Sequence, residues 1–244
     1  MVLYLLQTFA AHPDLAAGQA PEGLLHPLEA AQLAGLRVVK RRREWLLGRW
    51  TAKHLVRMYL AHQGEQALPA LATVVIRTAA EGAPYVALAS SASGAVDGLV
   101  RLPLSLSISH SGDRAFCALV DEAGVTVGAD IERIEPRQAG FVAQFFTPTE
   151  QAAVARAAAD QREAIITAIW SAKEAVLKAL HLGLRVDTRR LNCLPTFAPD
   201  AEGWWSLFLD VDGLPLWPTR RWHGRWRIDE GFVQTLVCAE SGNV

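Results

Sequence analysis

Cysteine is scarce in this chain. Cys117, Cys193 and Cys238 are the only three among 244 residues. The count is odd, the spacing is wide and no CxxC pair occurs, which excludes a disulfide framework and the common zinc patterns. A reducing, cytoplasmic setting is the expectation. Charge of one sign is also lacking: the formal net charge is −1, so no global basic field announces nucleic acid. No uninterrupted apolar run approaches the ~18 residues that a membrane span needs. The opening "MVLYLLQTFAAHPD" lacks a basic leader region and reads as a first strand rather than a signal peptide. No Pro/Ser-rich linker divides the chain, and no repeat is legible at the level of residues.

What is present is apolar mass, 51% of the residues, enough for one large core or two smaller ones. Strand and helix patterns alternate. "VLYLLQTF" reads as a strand, and residues 27–62 carry helical periodicity, as two helices. "ATVVIRT", "LSLSISH", "RAFCALV" and "GVTVGADIE" read as strands, with 80–100 as loop and Asp121–Gly124 as a hairpin turn. A helix is expected after Thr147, whose partner Glu150 completes a capping box. A longer helix follows over about 161–181, ending near Gly183. "WWSLFLDVDG" and "FVQTLVCAE" read as strands. Both halves thus run strand, helices, strands. The expectation is an α+β fold of two similar halves, 1–124 and 125–244, each a small, mostly antiparallel sheet packed with helices.

Two places carry chemistry. In "VGADIERIEP", Asp130 and Glu132 are two residues apart in a strand and so share a face. Two carboxylates so close repel unless a cation stands between them. Oxygen ligands of this kind suit Mg²⁺, although a solvated strand end would look the same. In "WSAKEAVLKAL", Ile165, Ile169, Ala172 and Val176 form an aliphatic stripe. Glu174 projects from the far side, with Lys178 four residues on and Trp170 four residues before. An exposed ion pair is one reading of Glu174 and Lys178. The other is a third acid for a metal–phosphate site, with Lys173 and Lys178 offsetting phosphate charge. Trp170 favours the second, because an indole on a polar helix face implies something that covers it. A third feature is basic: Arg37, Lys40, Arg41, Arg42, Arg43 and Arg49 crowd "RVVKRRREWLLGR", pointing to an anionic partner or a solvated basic face.

In this order and spacing, "VGADIE", "FFTPTEQ" and "WSAKEAVLK" resemble the 4′-phosphopantetheinyl transferases, most of all the larger, Sfp-type members. "SISHSGDRAFCAL", "EWLLGRWTAKHLV" and "GFVQTLVCA" extend the likeness from about residue 35 to the C-terminus. The resemblance implies a pseudo-twofold monomer with coenzyme A between its halves. It also implies transfer of phosphopantetheine from CoA to a serine of an apo acyl or peptidyl carrier protein, with release of adenosine 3′,5′-bisphosphate. No nucleic-acid or membrane partner is implied. Asp130, Glu132 and Glu174 match the family's Mg²⁺-binding acids, with Mn²⁺ as a substitute. Glu174 also matches the base, which acts directly or through water. Lys178 matches the lysine facing the CoA phosphates. Ser109 and His110 match the pair that contacts CoA. Arg37, Arg49 and Lys53 are candidates for its adenylate side. Arg133 and Arg137 would steer an acidic carrier, and Phe141 and Phe145 either touch it or pack in the core, with core packing expected for at least one of them. Ala83 departs from the family's Gly-basic-Pro triplet, which bears on CoA affinity. Trp204, Trp205, Trp217, Trp222 and Trp226 are assigned to packing. The competing readings are a Mg²⁺-dependent phosphohydrolase using the same acids and a non-catalytic carrier-binding homologue.

Overall fold

A computed structural model describes residues 1–90, 98–211 and 220–241. It divides into two units, 1–123 and 124–244. In the first, strands β1 (Val2–Thr8), β5 (Ser105–Ser111) and β6 (Arg114–Val120) form an antiparallel sheet in the order β1-β6-β5. A second antiparallel sheet holds β2 (Val74–Thr78), β3 (Pro84–Ala89) and β4 (Leu99–Arg101). The helices are α1 (Pro13–Ala17), α2 (Pro27–Ala34) and α3 (Val39–His62). The long α3 buries Ala52, Leu55 and Val56 against Leu106, Cys117 and Leu119 of the first sheet.

In the second unit, β7 (Val125–Arg133), β8 (Asn192–Pro199), β9 (Trp205–Asp210), β10 (Arg220–Asp229) and β11 (Phe232–Ser241) form one antiparallel sheet, ordered β7-β11-β10-β9-β8. The helices are α4 (Phe141–Phe145), α5 (Pro148–Arg156) and α6 (Arg162–Ala179). Ala168, Ala172, Ala175 and Ala179 recur at helical spacing on α6, and all are buried. Such small residues let a helix axis come close to the sheet it covers. Trp226 and Trp205 pack in the same core, with Trp226 fully buried and its indole N–H donated to the Thr196 carbonyl at 3.1 Å. Trp217 lies outside the described residues. Among the described residues no helix is long and apolar enough to cross a membrane.

Two expectations change. Residues 80–100 are not all loop, because β3 and the start of β4 lie there; residues 91–97 fall outside the described set. The turn at Asp121–Gly124 closes no hairpin. β6 pairs with β1 and β5, whereas β7 pairs with β11, so those residues join the two units.

A repeat is present after all. In each unit the first strand pairs with the last, which forms a hairpin with the one before it: β1-β6-β5 and β7-β11-β10. Each unit also carries a capping box with proline at the helix start. It is His26-Pro27-Leu28-Glu29 on α2 and Thr147-Pro148-Thr149-Glu150 on α5. Each long helix carries Trp-[Thr/Ser]-Ala-Lys, at Trp50–Lys53 and Trp170–Lys173. The capping glutamate and this lysine meet in both units. Lys53 Nζ bonds to Glu29 Oε2 at 2.5 Å and to the carbonyls of Leu24 and Leu71 at 2.7 and 3.0 Å. Lys173 Nζ lies 2.9 Å from Glu150 and bonds to the carbonyls of Thr188 and Leu191 at 2.7 and 2.6 Å. The second oxygen of each glutamate accepts from a strand or strand-start amide, Ile76 N at 3.1 Å and Cys193 N at 2.7 Å. An ammonium has three donors, and both lysines use all three inside the core. A buried charge survives only when its partners are this complete.

Candidate active site

β7 and α6 meet face to face. Asp130 sits opposite Thr235 in the register of β7 with β11, and Ser171 of α6 donates to Thr235 at 2.9 Å. Gly128, Asp130 and Glu132 therefore face the helix. At Gly128 a Cβ would stand 1.8 Å from the Ala175 carbonyl oxygen. Only glycine lets the two backbones come this close, and that approach carries Glu174 and Lys178 over the acids. Lys178 Nζ lies 2.6 Å from Asp130 Oδ1. Arg137 Nη2 donates to Glu132 Oε2 at 3.0 Å. Of the two readings of Glu174 and Lys178, the exposed i,i+4 pair gives way to a contact of Lys178 with Asp130 across the sequence.

The electrostatics are short of positive charge. Burial, then the charge of Asp130, holds the Glu132 carboxyl above its ordinary range despite Arg137. Burial and then Asp130 push the Glu174 carboxyl to about 7, with Lys178 opposing and Glu132 adding to the rise. Among the described residues, no three His, Cys, Asp or Glu side chains stand around one point as a ready-made metal site. The acids are disposed around two protein cations instead.

The repeat shows why this chemistry is confined to one unit. The hairpin ends Ser111↔Arg114 and Asp229↔Phe232 are equivalent, and counting from them Leu5 stands where Asp130 does and Gln7 where Glu132 does. On the helices, His54 and Met58 stand where Glu174 and Lys178 do. The first unit has no carboxylate in those four places.

The first unit has a different opening. A cavity of about 370 Å³ is lined by Arg41, Glu44, Trp45, Arg49 and His110, among others. Arg49 and His110, both expected at a phosphate-binding surface, meet here. Arg49 is buried, which lowers its pKa, and its guanidinium lies 4.7 Å from the Trp45 ring centroid. His110 Nδ1 is 3.9 Å from Glu44 Oε2. Arg41, Trp45 and Arg49 recur every fourth residue on α3, a spacing that could have revealed this face in the sequence.

Other expectations need correction. Lys53 and Lys173 are fully buried in their glutamate and carbonyl cages and have no donor left for a phosphate. Arg37 is exposed ahead of α3 and does not line the cavity. Ser109 is buried on the opposite face of β5 from Ile108 and His110, and is not brought to it. Arg42 donates to the Leu33 and Leu36 carbonyls at 2.9 and 3.3 Å, closing the end of α2. Arg43 stacks 4.6 Å from the Phe9 ring. These two arginines of the basic run are thus engaged within the fold. Phe141 and Phe145 pack edge-to-face on Trp170, with centroids 5.1 and 5.3 Å away. The cover that an indole on a polar helix face implies is supplied by the chain itself. Ala83 is buried just ahead of β3.

Comparison with known proteins agrees with the sequence resemblance. Residues 126–229 match the family model of the 4′-phosphopantetheinyl transferase superfamily. That stretch contains Asp130, Glu132, Glu174 and Lys178. The 4′-phosphopantetheinyl transferase psf-1 of Bacillus pumilus is 30% identical over 154 residues, covering 62% of this chain and 57% of that protein's length. Among solved structures, the Chronobacterium ammoniagenes ACPS–CoA complex is 19% identical, covers 49% of this chain and 98% of its own, and has a TM-score of 0.38. A Bacillus anthracis holo-(acyl-carrier-protein) synthase in complex with CoA is 20% identical, covers 48% and 96%, and also has a TM-score of 0.38. By the sequence of residues 126–229, the stretch that holds the acid cluster, this chain is similar to the 4′-phosphopantetheinyl transferase superfamily, and it spans 57% of the length of the curated relative it matches.

Proposed function

We propose that this chain is an Sfp-type transferase that moves 4′-phosphopantetheine from CoA to a serine of an apo carrier protein. The observation that carries the reading is the acid cluster: Glu174, with its carboxyl at about 7, beside Lys178 and the Asp130–Glu132 pair. In the reaction the serine oxygen bonds to the phosphorus that bears pantetheine. The bond from that phosphorus to the bridging oxygen breaks, and adenosine 3′,5′-bisphosphate leaves with the bridging oxygen. The serine proton needs an acceptor. A carboxylate raised to about 7 is a stronger base than an ordinary one and is matched to neutral pH. Lys178 stands on the same helix face, placed to stabilise the charge that builds on the leaving phosphate.

The donor set fits Mg²⁺: all-oxygen ligands on two rigid elements, short of positive charge, in the number such an ion takes from a protein. Asp130 and Glu132 would hold it, with Glu174 as third ligand or base. Bound there, it would supply charge neutralisation of the pyrophosphate. Arg49 and His110 in the first unit's cavity are the groups for the nucleotide phosphates, and a carrier with acidic surface is the expected acceptor. We expect a monomer acting in the cytoplasm.

Asp130→Asn tests the assignment. It should fold and lose Mg²⁺-dependent transfer to an apo carrier by at least about 100-fold. A variant that keeps the wild-type rate would remove the acid pair from the site.

A further inference from the structure

Arg137 lies in the irregular segment between β7 and α4, and its side chain makes two contacts. It donates to Glu132 at 3.0 Å, and its guanidinium carbon lies 5.5 Å from the Phe141 ring centroid. Its Nε is buried without a hydrogen-bond partner. Arg137 also walls a cavity of about 580 Å³, with Phe141, Val142, Arg162 and Ile166 among its other lining residues. The ion pair is neither sealed nor fully solvated, with side chains 18% and 24% exposed.

The charge count decides what this pair can do. Asp130, Glu132 and Glu174, when ionised, face Lys178 and Arg137 and leave one negative charge over. A divalent ion added to that set would leave one positive charge over, in a largely buried place where an uncompensated charge is costly. One resident cation then has reason to leave. Lys178 is fixed on α6 against Asp130. Arg137 is on a segment outside helix and strand, with an aromatic face and an open cavity beside it. A guanidinium can exchange a carboxylate for an aromatic ring at modest cost.

We propose that Arg137 is a displaceable counter-cation for Glu132. It neutralises that carboxylate while no divalent ion is bound, and withdraws onto Phe141 and the cavity wall when one arrives. It is a positioning residue that sets the metal affinity of the free chain. The inference rests on the reading of Asp130 and Glu132 as metal ligands. It also reassigns Arg137, which the sequence placed at a carrier-docking surface.

The test is isothermal titration of MgCl₂ into the wild-type chain, Arg137→Gln, Arg137→Lys and Asp130→Asn, without CoA or carrier. Removing the competing charge should tighten Mg²⁺ binding in Arg137→Gln by about fivefold, while Arg137→Lys stays near wild type. The direction is diagnostic, because a variant damaged in its fold would bind more weakly. Equal or weaker affinity in Arg137→Gln, with wild type binding and Asp130→Asn not, would overturn the role of Arg137 alone. Absence of Mg²⁺ binding in wild type would overturn the metal reading and this inference with it.

Discussion

Replacing Glu174 by glutamine should stabilise the fold while abolishing its chemistry, and the gain should depend on pH. Burial, with Asp130 and Glu132 adding, holds the Glu174 carboxyl at about 7, against 4.5 for an ordinary glutamate. The folded chain therefore keeps a proton that the unfolded chain gives up between those values. The contribution of Glu174 to stability is complete below pH 4.5 and is lost as pH rises to about 7, after which the loss is constant. At about 1.4 kcal/mol per pH unit, the interval from 4.5 to about 7 sets a ceiling of about 3 kcal/mol at pH 8. At pH 5 the same linkage leaves less than about 1 kcal/mol. Glutamine has no such loss, so urea unfolding in EDTA should show Glu174→Gln more stable than wild type at pH 8 and nearly equal at pH 5. Excess Mg²⁺ should shrink the difference at pH 8, since a cation offsets the repulsion that creates it. An equal effect at both pH values, or destabilisation at pH 8, would show that Glu174 is not held in a charge-deficient site.

Two further outcomes follow from the packing. Lys173→Met leaves Glu150 buried without its ion and should cost about 3–5 kcal/mol in denaturant unfolding; Lys53→Met should cost less, because Arg49 Nε stays 3.6 Å from Glu29. A Lys173→Met chain of wild-type stability that had lost CoA affinity would return that lysine to the phosphate site. Gly128→Ala places a methyl group on the Ala175 carbonyl and should lift α6 from β7, costing about 1–3 kcal/mol. Transfer should fall further than stability implies, because Lys178 and Glu174 ride on that helix. A rate unchanged from wild type would show that the close approach is not needed.

Local pattern revealed the parts of the site but not their partners. The two-residue alternation put Asp130 and Glu132 on one face, and helical spacing put Glu174 with Lys178, because both periods are properties of a single element. That Lys178 bonds to Asp130 depends on how α6 docks, and the docking is set by Gly128 and the alanine seam. The lysines of the two Ala-Lys motifs look alike in sequence to exposed ones. Burial distinguishes them, and the cue available was the matching capping glutamate in each unit. That repeat is easy to miss, since the motifs are four residues long and the glutamate and lysine lie 24 residues apart in one unit and 23 in the other. β8 and β10 were not expected, the first because Pro195 and Pro199 break its pattern and the second because its arginines mask an alternation of Trp222, Gly224 and Trp226. Trp170 is covered, as an indole on a polar helix face implies, but the cover comes from α4, whose Phe141 and Phe145 could be read from sequence either as carrier contacts or as core.

The central claim is that the acids of the second unit move phosphopantetheine from CoA to a carrier serine. Intact mass spectrometry of an apo carrier protein incubated with the chain and CoA, in Mg²⁺ or in EDTA, tests it most directly. The account predicts a gain of one phosphopantetheine on the carrier serine in Mg²⁺ and none in EDTA. A gain that persists unchanged in EDTA would contradict the metal-dependent acid site, and no gain on carriers of the fatty-acid, polyketide and peptide-synthetase classes would contradict the transfer itself.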